Sequence, residues 1–314
     1  MPEPQPFSER PLPRRPDDEQ PAEFRREIGG ITLAGFEWAG DGPPIVMTHG
    51  TGFHARVWDS IARRLPGRRV IALDLRGHGR SSKPDEPYWW SKFSDDTAGL
   101  IEALDLREVV GVGHSMGGYT IADAARRALD RFAALVLIDP TIMRSRPSTG
   151  PANGSGSGPL DFVSKRRNEW GSVEEMVERF APRFPYNVWA PGILDDYARY
   201  GLLPAPSGEG LILACPPKVE AAVYAGRESP DGDLSQHLDA LRLPARVLRA
   251  RAPEPGEQAA PFTVSPTMPD LAERLPDALD VPLPHLSHFI PMEAPDLVAW
   301  HIIEATDAVE AARR

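Results

Sequence analysis

Five short apolar runs rich in β-branched residues, each closed by turn-forming residues, constrain the fold of this chain more than anything else in it. They read ITLAGFEW from Ile31, then PIVMTHG, RRVIALDLRG, EVVGVGHS and AALVLIDP. Stretches with helical spacing lie between them: ARVWDSIARRL after the second, DDTAGLIEALDL after the third and MGGYTIADAARRAL after the fourth. Strands alternating with helices imply right-handed crossovers, and so an α/β fold with a mostly parallel sheet covered on both faces. The rhythm stops after Pro140 and resumes with PARVLRA and ALDVPLP, before a closing helical stretch, APDLVAWHIIEATDAVEAA. The core is therefore expected over 29–140 and 244–314. Residues 141–243 are expected to be a helical lid (cap) insertion, opening on the flexible PSTGPANGSGSGP and carrying SVEEMVERF and GILDDYARY. Residues 1–28, rich in proline and charge, read as an extended arm.

Composition excludes several function classes. With 314 residues the chain buries a full core without disulfides or a structural metal. The single cysteine, Cys215, has no intrachain partner and provides no cysteine-based metal cluster. A net charge of −10 repels phosphate backbones, so nucleic acid is not an expected partner. No apolar run approaches the roughly 20 residues of a membrane span, and no secretory apolar core stands at the amino terminus. A soluble, cytoplasmic protein is expected. Neither GxxxxGK[ST] nor GxGxxG occurs, so no nucleotide cofactor is expected, and Asp74 and Arg76 in DLRGHGRSS are expected to tie their loop to its neighbours by charged hydrogen bonds.

The sharpest local signal is Gly113-His114-Ser115-Met116-Gly117, between the apolar EVVGV and the helix-like YTIADAARRAL. Small residues around Ser115 permit a sharp strand-to-helix turn that exposes its hydroxyl, and the Met116 amide at the helix start faces developing negative charge. On this motif, with THGTGFHARVW, DLRGHGRSS and HLSHFIPMEAP in order around it, the chain resembles the α/β-hydrolase fold superfamily from about Ile31 to Val298.

The resemblance implies Ser115 as nucleophile and backbone N–H groups of Thr51 and Met116 as an oxyanion hole, with Gly50 and Gly52 letting the backbone approach the substrate. His288, in the loop before the last helix, is the implied base, preferred over His285. For the acid, no aspartate follows the strand after the lid; VLRARAPEPGEQ offers Glu254 and Glu257. Some relatives carry the acid at the end of the strand before the lid, where Asp139 stands, so Asp139 is favoured and Glu254 is the alternative. Aromatics suggest an apolar slot: Trp89 with its neighbours Tyr88 and Trp90, Phe162, Trp170, Phe180, Phe184 and Trp189 in the lid, and Phe289 beside the base, with His54 as a further lining residue. A serine rather than an aspartate at the elbow favours acyl chemistry. The expected function is a serine esterase or lactonase acting on an apolar or aromatic small molecule without cofactor or metal; alternatives are a C–C bond hydrolase or lyase, or a weakly hydrolytic receptor.

Overall fold

The computed structural model describes residues 12–16, 18–85, 87–143, 161–228 and 232–313, with the side chains of 161 and 162 outside the description. Among these residues, eight strands form one sheet in the order β1-β2-β4-β3-β5-β6-β10-β11. They are β1 (Ala22–Ile28), β2 (Ile31–Trp38), β3 (Asp41–Thr48), β4 (Arg68–Asp74), β5 (Val109–His114), β6 (Phe132–Ile138), β10 (Ala245–Arg249) and β11 (Ala278–Pro282). The pairs β1–β2 and β2–β4 are antiparallel, and every pair from β4 to β11 is parallel.

The near-continuous apolar runs follow from burial on both faces. On one face Ile45 and Met47 of β3, Val136 and Ile138 of β6 and Leu248 of β10 pack under α10 (Pro295–Ala312) and beside α1 (Asp59–Ala62). On the other, Val46, Leu135, Leu137 and Val247 pack against α2 (Trp90–Ala103) and α3 (Met116–Arg127). Successive residues thus alternate between two separate cores. Short helices α8 (Leu271–Arg274) and α9 (Ile290–Glu293) flank β11.

Two expectations are corrected. The arm expected over 1–28 is not merely extended: Ala22–Ile28 form an edge strand paired antiparallel with Ile31–Glu37 of β2. Its sequence AEFRREI shows no apolar alternation because only Phe24 and Ile28 are partly buried, packed on the core beside an exposed Arg26, and charged residues suit an edge that must not recruit another strand. Arg15 is also buried, its guanidinium donating to the carbonyls of Ala62 (3.1 Å), Ala39 (3.1 Å) and Leu65 (3.0 Å). The segment expected to be helical holds α4 (Asp161–Ser164), α5 (Val173–Phe180), α6 (Ile193–Gly201) and α7 (Pro217–Ala225), but also a separate antiparallel sheet. Its strands, β7 (Glu169–Trp170), β9 (Leu211–Leu213) and β8 (Leu202–Pro204), are too short to show a period of two. PSTGPANGSGSGP lies outside the described residues. No helix among the described residues is long and apolar enough to cross a membrane.

Candidate active site

Ser115 joins β5 to α3 at φ +57° and ψ −122°, a backbone position that non-glycine residues rarely adopt. Hydrogen bonds over-determine it: its N–H donates to Ile138 O (3.1 Å), and its carbonyl accepts from Thr141 N–H (3.0 Å) and Tyr119 N–H (3.2 Å). The flanking glycines are steric requirements. A Cβ on Gly113 would stand 2.3 Å from the Gly117 carbonyl oxygen, and one on Gly117 2.2 Å from that of Thr48.

The imidazole comes from the loop between β11 and α9. His288 Nε2 lies 2.9 Å from Ser115 Oγ, and Nδ1 lies 2.7 Å from Asp139 Oδ2. With Nδ1–H donating to the carboxylate, Nε2 is left to accept the serine proton. The His288 N–H donates to Phe262 O (3.2 Å) and its carbonyl accepts from His114 Nε2 (2.8 Å), which pins the loop on both sides.

Asp139 closes β6, is fully buried and has φ +42°. Its second oxygen, Oδ1, accepts from Ala250 N–H at 3.0 Å and from the Ser265 hydroxyl. Both donors come from the loop after β10, the loop that also carries Glu254; here that loop serves the carboxylate of Asp139. Glu254 is not brought to the imidazole. It is exposed, and its N–H donates to Glu257 Oε2 (2.8 Å), a carboxylate already paired with Arg251 (2.7 Å).

Thr51 lies in the loop after β3 and Met116 begins α3. Among the described residues neither N–H meets an internal acceptor, and the Thr51 hydroxyl donates to Met116 Sδ at 3.4 Å. A Cβ on Gly50 would sit 3.2 Å from Ser115 Cβ, so this loop runs directly beside Ser115. Buried histidines hold it. His49 Nδ1–H donates to Gly50 O (2.8 Å) while Nε2 accepts from Leu75 N–H (3.2 Å); His78 Nδ1–H donates to Arg76 O (2.8 Å) while Nε2 accepts from Gly52 N–H (3.1 Å). Each bond pair needs a neutral ring, and burial ensures it, pushing His49 well down and His78 down to about 4. Asp74 accepts from Ala55 N–H (2.7 Å) and Arg80 N–H (2.8 Å), and Arg76 grips Asp96 with two bonds (2.6 and 2.7 Å), tying the next loop to its surroundings.

A cavity of about 520 Å³ opens over Ser115 and His288. Gly50, Gly52, Phe184, Trp189 and Phe289 line it, but His54, Tyr88, Trp89, Trp90, Trp170 and Phe180, also expected there, do not. Trp89 is 40% exposed. Trp170 is buried against Phe180 and Arg167. His54 sits behind the wall, donating from Nε2 to Tyr197 O (3.0 Å), with burial pushing it down to about 3. The Phe162 side chain lies outside those described.

Sequence reading missed Phe53, Tyr186, Tyr197, Phe262, Arg166 and Glu220. Tyr197 had a findable signal, the buried stripe Ile193, Leu194, Tyr197, Ala198 on α6. Arg166 and Glu220 had none, since their pairing spans α4 to α7. Arg166 Nη1 donates to both Glu220 oxygens (2.9 and 2.7 Å) and Nη2 to the Tyr197 hydroxyl (3.4 Å). Burial raises the Glu220 carboxyl against the lowering pull of that guanidinium.

A strained serine at a strand-to-helix turn, backed by imidazole and carboxylate at the carboxyl ends of parallel strands, defines a class of hydrolases. A profile described as the alpha/beta hydrolase family matches residues 45–299, and the chain belongs to that family. It is 39% identical over 289 residues, 90% of this chain and 95% of the other, to the 2-(acetamidomethylene)succinate hydrolase of Mesorhizobium japonicum. A crystal structure of E-2-(acetamidomethylene)succinate hydrolase superposes with a TM-score of 0.69 at 25% identity, covering 91% of this chain and 99% of that one. A thermophilic esterase from Thermogutta terrifontis, solved with malate bound, superposes with a TM-score of 0.65 at 28% identity, covering 92% and 99%.

Proposed function

We propose that the protein is a serine hydrolase that cleaves a carboxylic ester or lactone of an uncharged, apolar or aromatic small molecule through an acyl-enzyme. The observation that carries the reading is the hydrogen-bonded relay Ser115–His288–Asp139 opening into an aromatic-lined cavity. As Ser115 Oγ attacks the carbonyl carbon, His288 Nε2 takes its proton and Asp139 offsets the imidazolium charge. The carbonyl electron pair moves to oxygen and is held by the Thr51 and Met116 N–H groups. Collapse breaks the ester C–O bond as His288 returns the proton to the leaving oxygen. Water, deprotonated by His288, then attacks the acyl group and releases the acid and Ser115.

Segment 141–243 acts in this reading as the lid, supplying Tyr186, Trp189, Tyr197 and Arg166 to the wall. The preference for uncharged substrates rests on Arg166, whose charge in the cavity is already met by Glu220 through two bonds. The likeness to a succinate-derivative hydrolase favours a second reading, in which a carboxylate-bearing substrate displaces Glu220 from Arg166.

A fluorophosphonate should label Ser115 rapidly and fail to label Ser115→Ala; absence of labelling would turn the reading towards a receptor. A panel of neutral p-nitrophenyl esters, lactones, their carboxylate-bearing analogues and a β-diketone then separates the remaining possibilities. Neutral esters or lactones should give the highest kcat/KM. Preference for the anionic members supports the second reading, and cleavage of the diketone alone supports C–C bond hydrolysis.

A further inference from the structure

Alternation along β10 assigns Ala245 and Val247 to one core and Leu248 to the other, the core under α10. Arg246 occupies that second face, two residues before Leu248, at a place where the neighbouring strands contribute aliphatic side chains. It is only 5% exposed. Its compensation is thin for a buried cation, which ordinarily meets a carboxylate through two short bonds. Nη1 donates to His301 Nδ1 at 3.3 Å, and burial pushes that imidazole down to about 3, so the partner is neutral. Its ion-pair partner among the described residues, Glu304, stands 3.8 Å from Nη2, too far for a hydrogen bond, and the Nε–H is buried with no acceptor. Burial accordingly pulls the guanidinium down, with Glu304 opposing it only in part.

Beside this arginine lies a cavity of about 480 Å³, walled by Ala133, Leu135, Ala305, Ala308 and Val309. It sits at the amino-terminal ends of β6 and β10, whereas Ser115 and Asp139 stand at carboxyl ends of strands, so the two cavities lie at opposite ends of the sheet. The charged rim residues Glu108 and Arg313 pair with one another (3.0 Å) and leave Arg246 as the under-compensated cation of the site. Small side chains on α10 and β6 create the space, and its volume falls in the range of small-molecule sites.

We propose that this second cavity binds a small amphipathic carboxylate, its head against Arg246 and its alkyl or aryl tail along the alanine-lined wall between β6 and α10. The probe is octanoate, titrated into the full-length protein by calorimetry, with octanamide as the uncharged match. Saturable octanoate binding is expected, with octanamide at least tenfold weaker. Arg246→Gln and Ala308→Phe should each weaken octanoate at least tenfold, the second by filling the mouth from an exposed position that leaves the buried arginine alone. Trp189→Ala, in the other cavity, should leave the affinity unchanged. Absence of saturable binding, equal affinity for the amide, indifference to Ala308→Phe, or loss in Trp189→Ala would each overturn the assignment.

Discussion

Asp139 carries a charge at a left-handed backbone position with both carboxylate oxygens engaged, one by His288 and the other by Ala250 N–H and Ser265. Such an anchor fixes the imidazole tautomer as well as its angle. Asp139→Asn, which presents an amide to Nδ1, should lower turnover by up to ~10⁴ with KM little changed, as argued for serine-protease triads. Glu254→Gln should leave kcat/KM as it is, and an ester assay on the two variants checks both. Ser115 and His288 were legible because each sits in a distinctive local context. The acid was not decided by sequence, because a carboxylate before a proline reads equally well as a turn residue until its donors, more than a hundred positions away, are placed. The Arg166–Glu220 pair was invisible for the same reason of distance.

At the scale of elements, the five apolar runs were legible because both faces of their strands are buried, whereas β1 was not, because it places only Phe24 and Ile28 partly against the core. The same blindness hid the role of Arg15. Its guanidinium bonds to carbonyls at the end of α1 and in the turn after β2, stapling the amino-terminal segment to the core. Hydrogen bonds to a charged donor contribute about 2 kcal/mol, so Arg15→Ala should lower the thermal midpoint by several degrees, read by scanning calorimetry. An unchanged midpoint would mean that the staple is incidental. Between β6 and β10, the helices α5 and α6 announced themselves by their apolar spacing, while two- and three-residue strands fall below any periodic signal.

Across the whole molecule, burial depresses several histidines together: His54 and His114 to about 3, His78 to about 4 and His301 to about 3. Their folded values lie below the ordinary 6.5, so the unfolded chain takes up protons first as the pH falls. The stabilisation from keeping them neutral is complete well above pH 6.5 and is lost progressively below it, down to about 4 for His78 and about 3 for the others, each ring removing up to about 1.4 kcal/mol per pH unit. The thermal midpoint should therefore drop steadily between pH 7 and 5, and His301→Gln should shallow that drop; a flat profile would contradict the burial argument.

Ser115 and Asp139 close adjacent strands of one ladder, joined by the bond from Ser115 N–H to Ile138 O, while His288 arrives from 149 positions beyond Asp139. In synthesis, then, Ser115 and Asp139 are made close together, and His288 follows at that interval after Asp139. The contact between Ser115 and His288 therefore waits until β11 and the loop after it have docked beside β10.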